Sequence, residues 1–151
     1  MPRIERTARI EWEGNLARGH GEIFAASSGA FTGLPFRNAT RIGNPEGETS
    51  PEELLAAAHG GCFSTSLAGE LTTLGIPPER LEVTCRIVMD EIEGQGHQIV
   101  GSVVSVQAVV PGADEARFNE GVRLADEGCP FSALLKRAGA EVSIEAELAE
   151  T

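Results

Sequence analysis

The chain has 151 residues, of which 23 are acidic and 12 basic, for a formal net charge of -11. That length suits one domain spanning residues 1–151 with a core of its own, and a field of that sign repels a phosphate backbone, so nucleic acid is not an expected partner. No segment approaches the roughly 20 apolar residues of a membrane span. The N-terminal stretch lacks the apolar core of a secretory signal, and three widely spaced cysteines (Cys62, Cys85, Cys129) make a poor disulfide framework. The expectation is a cytoplasmic protein in a reducing compartment.

In chain order, Ala8, Ile10 and Trp12 alternate with charged neighbours, the period-2 pattern of a half-buried strand. Glu13-Gly14-Asn15 reads as a turn, and Glu22 to Ala26 as a weaker second strand. Residues 29–49 carry Pro35, Gly43, Pro45 and Gly47 and read as a long loop, a feature often tied to function. A helix start follows: Ser50 as N-cap, Pro51 at the first helical position and Glu53 closing a capping box. From Leu54 to Leu74 the residues are small or apolar, with Glu70 the one charge, so this helix is expected to be covered on most sides by sheets or by a second subunit. Gly75 and Pro77-Pro78 end it.

Leu81, Val83, Cys85, Ile87 and Met89 alternate along a predicted strand. A valine-rich run from Ile99 to Val110 pairs with it through a turn at Glu93-Gly94-Gln95-Gly96. Asp114 to Glu127 reads as an amphipathic helix stopped by Gly128. Cys129 caps a short helix whose first residue is Pro130. Ala140, Val142, Ile144, Ala146 and Leu148 alternate with polar residues in a last strand. This order indicates an α+β fold with antiparallel sheets.

Two cysteines have informative surroundings. Cys129 precedes a helix, whose free N–H groups favour a thiolate. Cys62 lies inside the apolar helix behind Gly60-Gly61, a pair that costs helix stability and would let a substrate or another backbone approach the thiol. His59, one turn before Cys62, makes a Cys–His nucleophile or a metal site conceivable, though the absence of a C-x-x-C pair argues against metal. Cys85, on the inward face of a strand, reads as core.

The run from Thr49-Ser50-Pro51-Glu52-Glu53 through Ala58-His59-Gly60-Gly61-Cys62-Phe63-Ser64 resembles the central-helix signature of the osmotically inducible protein C (OsmC) and organic hydroperoxide resistance (Ohr) family. Trp12-Glu13-Gly14 with Arg18-Gly19-His20-Gly21 resembles its N-terminal hairpin, and Gly128-Cys129-Pro130 with Ser132 and Leu135-Lys136 its second cysteine segment. Ala57-Ala58-His59 before the first cysteine is closer to the OsmC branch. The resemblance implies an OsmC-like fold, with antiparallel sheets around a long buried central helix in an intertwined homodimer with active sites at the subunit interface.

It further implies a peroxidase that reduces organic hydroperoxides. Cys62 would be the attacking thiol and Cys129 the resolving one. Arg41, with Arg37 as the fallback, would stabilise the thiolate and polarise the peroxide, and Glu52 would orient the arginine. No cofactor or metal is implied, and the reductant would be an external dithiol, in relatives a lipoylated protein. Phe36, Phe63 and Phe131 could line an acyl or aryl pocket. Glu52 and Cys62 are ten residues apart on one helix, about 15 Å along its axis. If both serve one site, a second antiparallel subunit must supply the glutamate. Two other readings stay open: a non-catalytic redox sensor or small-ligand binder on the same fold, and a metal-dependent hydrolase using His59 and Cys62.

Overall fold

The alternating N-terminal residues form β1 (Arg9–Glu13), which pairs antiparallel with β2 (His20–Phe24); β2 pairs in turn with β3 (Leu34–Phe36). The computed structural model describes residues 2–149. Along the chain it divides into two compact units, one ending at Pro51 and one beginning at Glu52. The first unit corrects two expectations. The stretch 29–49 is not all loop: it holds β3 and a short helix α1 (Asn38–Ile42). And β1 is not half-buried: all five of its residues are exposed, Ile10 at 55% and Trp12 at 38%. The inward residues of this sheet lie on β2, where Gly21 and Ile23 are buried. Glu48 ties the following loop down by accepting from Arg37 Nε at 2.9 and 3.0 Å and from the Thr40 hydroxyl at 2.9 Å.

The second unit is built on helix α2 (Pro51–Thr73), which begins where the Ser50-Pro51 signal puts it. Within the chain α2 buries one face, through His59, Gly60, Phe63, Leu67 and Leu71. Ala57, Gly61, Thr65, Gly69 and Thr72 are exposed, so the chain by itself does not enclose the helix. The polar residues on this face cost little, because their hydroxyls bond to the helix's own carbonyls: Ser64 to Gly61 O, Thr65 to Cys62 O and Thr72 to Ala68 O. Gly75, at φ +77°, supplies the left-handed turn that ends α2, with Ile76 N donating to Leu71 O at 2.9 Å.

The buried face of α2 packs with a second three-stranded sheet, in the order β4 (Arg80–Ile92), β5 (Gly96–Val109), β6 (Glu141–Leu148). Leu81, Val83, Cys85 and Ile87 alternate inward as expected, but a bulge between Val88 and Met89 breaks the phase, so the pattern does not run cleanly to Met89. β4 and β5 are antiparallel, whereas β5 and β6 are parallel, which makes this sheet mixed rather than antiparallel. The cause is the connection: α3 (Glu115–Gly128) and α4 (Pro130–Arg137) carry the chain back so that β6 starts beside the same end as β5. The core joins Phe63, Leu67 and Leu71 of α2, Val104, Val106 and Ala108 of β5, and Phe118, Ala125 and Cys129 at α3 and its end. No helix among the described residues is long and apolar enough to cross a membrane.

Candidate active site

Cys129 occupies the joint between two helices: it follows α3 and caps α4, with Pro130 at the first position of α4. Its side chain is fully buried and makes no capping hydrogen bond to α4. It lies beside Cys62, near enough for its thiol to disfavour ionisation of the Cys62 thiol, and both cysteines are free. Two cysteines 67 positions apart in the sequence are thus neighbours in the second unit.

The surroundings of Cys62 explain its acidity. Burial pushes the thiol up from its ordinary value, and the adjacent Cys129 raises it further. Two donors oppose this: the backbone N–H of Phe131 and the hydroxyl of Ser66. Phe131 is the second residue of α4. The free amide of this helix start therefore serves Cys62, where the sequence had suggested that it serves Cys129.

His59 does not pair with Cys62. Its ring is fully buried and held at both nitrogens, Nδ1 2.6 Å from Ser102 Oγ and Nε2 2.8 Å from Ser132 Oγ. The cysteine on this network is Cys85, whose sulfur lies 3.3 Å from Ser102 Oγ and 3.8 Å from His59 Nδ1. A hydroxyl can donate or accept, so either neutral tautomer is satisfied. Burial lowers the pKa of His59; Asp126 acts against that shift and Lys136 with it. With both nitrogens engaged by serines, the Cys62–His59 nucleophile and the hydrolase built on it lose their geometry.

The glycine pair divides its duties. A Cβ on Gly60 would meet Cys85 Cβ at 3.2 Å, so Gly60 brings α2 close to β4; Gly61 has nothing within 4 Å and lies on the exposed face. The backbone that Gly60 admits is thus strand β4.

The remaining residues belong to different elements. Glu52 stands in the first turn of α2, far along the axis from Cys62. Arg41 is in the last turn of α1, in the first unit. Arg37 is committed to its own loop, pairing with Glu48 at 2.9 Å and with Glu46 at 3.9 Å, and these carboxylates raise its pKa. Of the aromatics, Phe63 is wholly core and Phe131 packs partly buried against that core. Phe36 lines a hollow of about 190 Å³ in the first unit with Trp12, Leu16, Arg37, Asn38 and Arg41, its ring centroid 5.5 Å from that of Trp12. Ser102 and Ser132 were not foreseen as site residues. The available signal was a serine on the inward face of a valine-rich strand, in phase with buried Val104 and Val106.

Residues 43–145 match the family model of OsmC-like proteins. The chain belongs to the OsmC-like family. It is 32% identical over 145 residues to the peroxiredoxin OsmC of Escherichia coli, an alignment covering 96% of this chain and 97% of that one. To the organic hydroperoxide resistance protein of Xanthomonas axonopodis it is 29% identical over 120 residues, covering 77% and 80%. Among solved structures, the organic hydroperoxide resistance protein OhrB of Bacillus subtilis superposes with a TM-score of 0.69 at 25% identity over 93% of this chain and 98% of that one. An OsmC-like protein from Vibrio cholerae gives 0.76 at 15% identity over 96% and 100%, a likeness of fold. The OsmC-like fold seen here therefore has α+β content and two small sheets.

Proposed function

We propose that this protein is a thiol peroxidase that reduces organic hydroperoxides by a two-cysteine mechanism. The observation that carries the reading is the proximity of the free thiols of Cys62 and Cys129, both within residues 43–145 that match the OsmC-like family model. The Cys62 thiolate attacks the distal oxygen of R–O–O–H. The O–O bond breaks, the alcohol leaves with a proton, and Cys62 becomes a sulfenic acid. The Cys129 thiol then displaces the sulfenic hydroxyl as water, closing a Cys62–Cys129 disulfide. An external dithiol, such as a lipoylated protein, reduces that bond by exchange and is itself oxidised to a disulfide.

A partly buried thiol with a raised pKa, such as Cys62, needs a cation to become a nucleophile at neutral pH. Arg41 is the residue assigned to this role, with Glu52 orienting it. The Thr40-Arg41-Ile42 context, which resembles the family's, supports Arg41 over Arg37. Glu52 lies about 15 Å along α2 from Cys62, so the site takes its glutamate from Glu52 of the partner subunit in a homodimer. The exposed small-residue face of α2 and the exposed β1 support that assembly.

Titrating thiols before and after one equivalent of an organic hydroperoxide tests the reading. Two thiols per chain should disappear, and Cys62→Ser should abolish turnover. Full turnover by Cys62→Ser overturns the mechanism. The raised thiol of Cys62 favours one competing reading, a non-catalytic small-ligand binder, and loss of no thiols would select it.

A further inference from the structure

His59 and Cys62 are one turn apart on α2, and Cys129 and Ser132 are one turn apart across the start of α4. The structure joins these two turns at two points. One is the Cys62 sulfur, approached by the Cys129 thiol and the Phe131 amide; the other is the 2.8 Å bond between His59 Nε2 and Ser132 Oγ. The imidazole is anchored on its far side to β5, through the 2.6 Å bond from Nδ1 to Ser102. His59, Ser102 and Ser132 are each 0% exposed, so no water competes for these bonds.

From this we infer that His59 is a positioning residue: through Ser132 it holds the first turn of α4 against α2, and so keeps Cys129 and the Phe131 amide at the Cys62 sulfur. The inference deepens the peroxidase reading and rests on it for its bearing on turnover. Condensation of a sulfenic acid with a neighbouring thiol depends on how often the two sulfurs meet in line, and a displacement of about 1 Å can cost a hundredfold. Of the contacts described between this turn and the side chains of α2, the His59–Ser132 bond is the one that does not end on the Cys62 sulfur. Asp126 and Lys136, paired at 2.5 Å, act electrostatically on the ring from α3 and α4, and Cys85 faces it from β4. The ring is thus surrounded by groups of its own unit.

The test uses the full chain with Ser132→Ala, which removes one hydroxyl and keeps the volume nearly constant. His59→Phe, which fills the ring's space without a bonding nitrogen, is the second variant should the first fold poorly. Diamide closes dithiols without any peroxide: one thiolate adds to its N=N bond, the other displaces it, and a hydrazine leaves. Folded variants should close the Cys62–Cys129 disulfide at least about tenfold more slowly than wild type. With an organic hydroperoxide, their Cys62 sulfenic acid should persist long enough for dimedone to trap it. Equal closure rates in wild type and folded variants, with only thermal stability lowered, overturn the inference. Diamide separates the two readings. A wild-type protein that ignores hydroperoxide but closes faster than Ser132→Ala refutes the peroxidase and leaves the positioning role standing.

Discussion

Gly60 lies against Cys85 so closely that a methyl group at its Cα would stand 3.2 Å from Cys85 Cβ and 3.8 Å from Val83 Cγ1. This is where α2 approaches β4, directly behind the residue before the Gly61-Cys62 pair. The neighbour is a Cβ fixed to a strand, so it cannot swing away. Gly60→Ala gains roughly 1 kcal/mol of helix propensity and loses about 1–3 kcal/mol to overpacking. The expected outcome is a net loss of stability, read as a lower urea midpoint. A midpoint at or above wild type would show that the two elements can part at no cost.

The site is held by contacts that differ in how plainly the sequence displays them. Pro51 and Cys129-Pro130 were legible because helix starts have local chemistry, and the valine run of β5 because burial on one face imposes a period of two. The parallel pairing of β5 and β6 was not, since inward alternation looks the same in either direction; the two intervening helices were the clue. β3 was hidden because its three residues include Pro35, a residue that an edge strand tolerates and a central one does not. The role of His59 depended on Ser102 and Ser132, 43 and 73 positions away, and no local pattern specifies a partner at that distance. The helix start ahead of Phe131 was read correctly as a donor, yet its amide serves the cysteine of another element.

Acid should loosen the second unit before its carboxylates titrate. Burial lowers the pKa of His59 in the folded chain below its ordinary value of 6.5. The unfolded chain therefore binds the proton more readily, and the stability from neutral His59 is complete above pH 6.5 and is lost as pH falls toward the folded-state pKa. Urea midpoints should be level from pH 8 to about 7 and begin to decline as pH falls below His59's ordinary value of 6.5, above the usual range of carboxylates. His59→Phe should flatten that decline. An equally steep decline in the variant would place the titration elsewhere.

Cys85 sits on the His59 network, its sulfur 3.3 Å from Ser102 Oγ and 3.8 Å from His59 Nδ1, and it packs against the core. Cys85→Ala should cost about 1 kcal/mol or somewhat more, the loss of a packed sulfur and a weak bond to Ser102. Peroxide turnover should stay within about twofold of wild type, and two thiols per chain should still vanish on oxidation. Loss of turnover with the fold intact would give Cys85 a chemical part.

The two loop arginines should separate cleanly. Arg37→Ala removes the pairing with Glu48, a contact partly open to solvent whose loss costs little stability, and turnover should change little. Arg41→Ala should slow peroxide reduction by about tenfold to a hundredfold, because a cation favours the thiolate form of a thiol that burial pushes up. The pH profile for alkylation of Cys62 should move to higher pH in Arg41→Ala and stay in place in Arg37→Ala. The reverse ordering would move the thiolate's cation to Arg37.

The exposed face of α2 gives a test of assembly that leaves the single chain untouched. A Cβ added at Gly69 meets nothing within 4 Å in the chain, and replacing the glycine gains helix propensity of up to about 1 kcal/mol. If a second α2 packs antiparallel against the face that carries Gly61, Thr65 and Gly69, a leucine at 69 fills the space the partner helix needs. Gly69→Leu should then shift sedimentation from dimer toward monomer and reduce peroxide turnover with it, since Glu52 of the partner subunit would no longer reach Cys62. The thiol contact of Cys62 with Cys129 is internal to one chain. Diamide closure should accordingly survive in the monomer, and a variant that stays fully dimeric with normal turnover would remove this face of α2 from the interface.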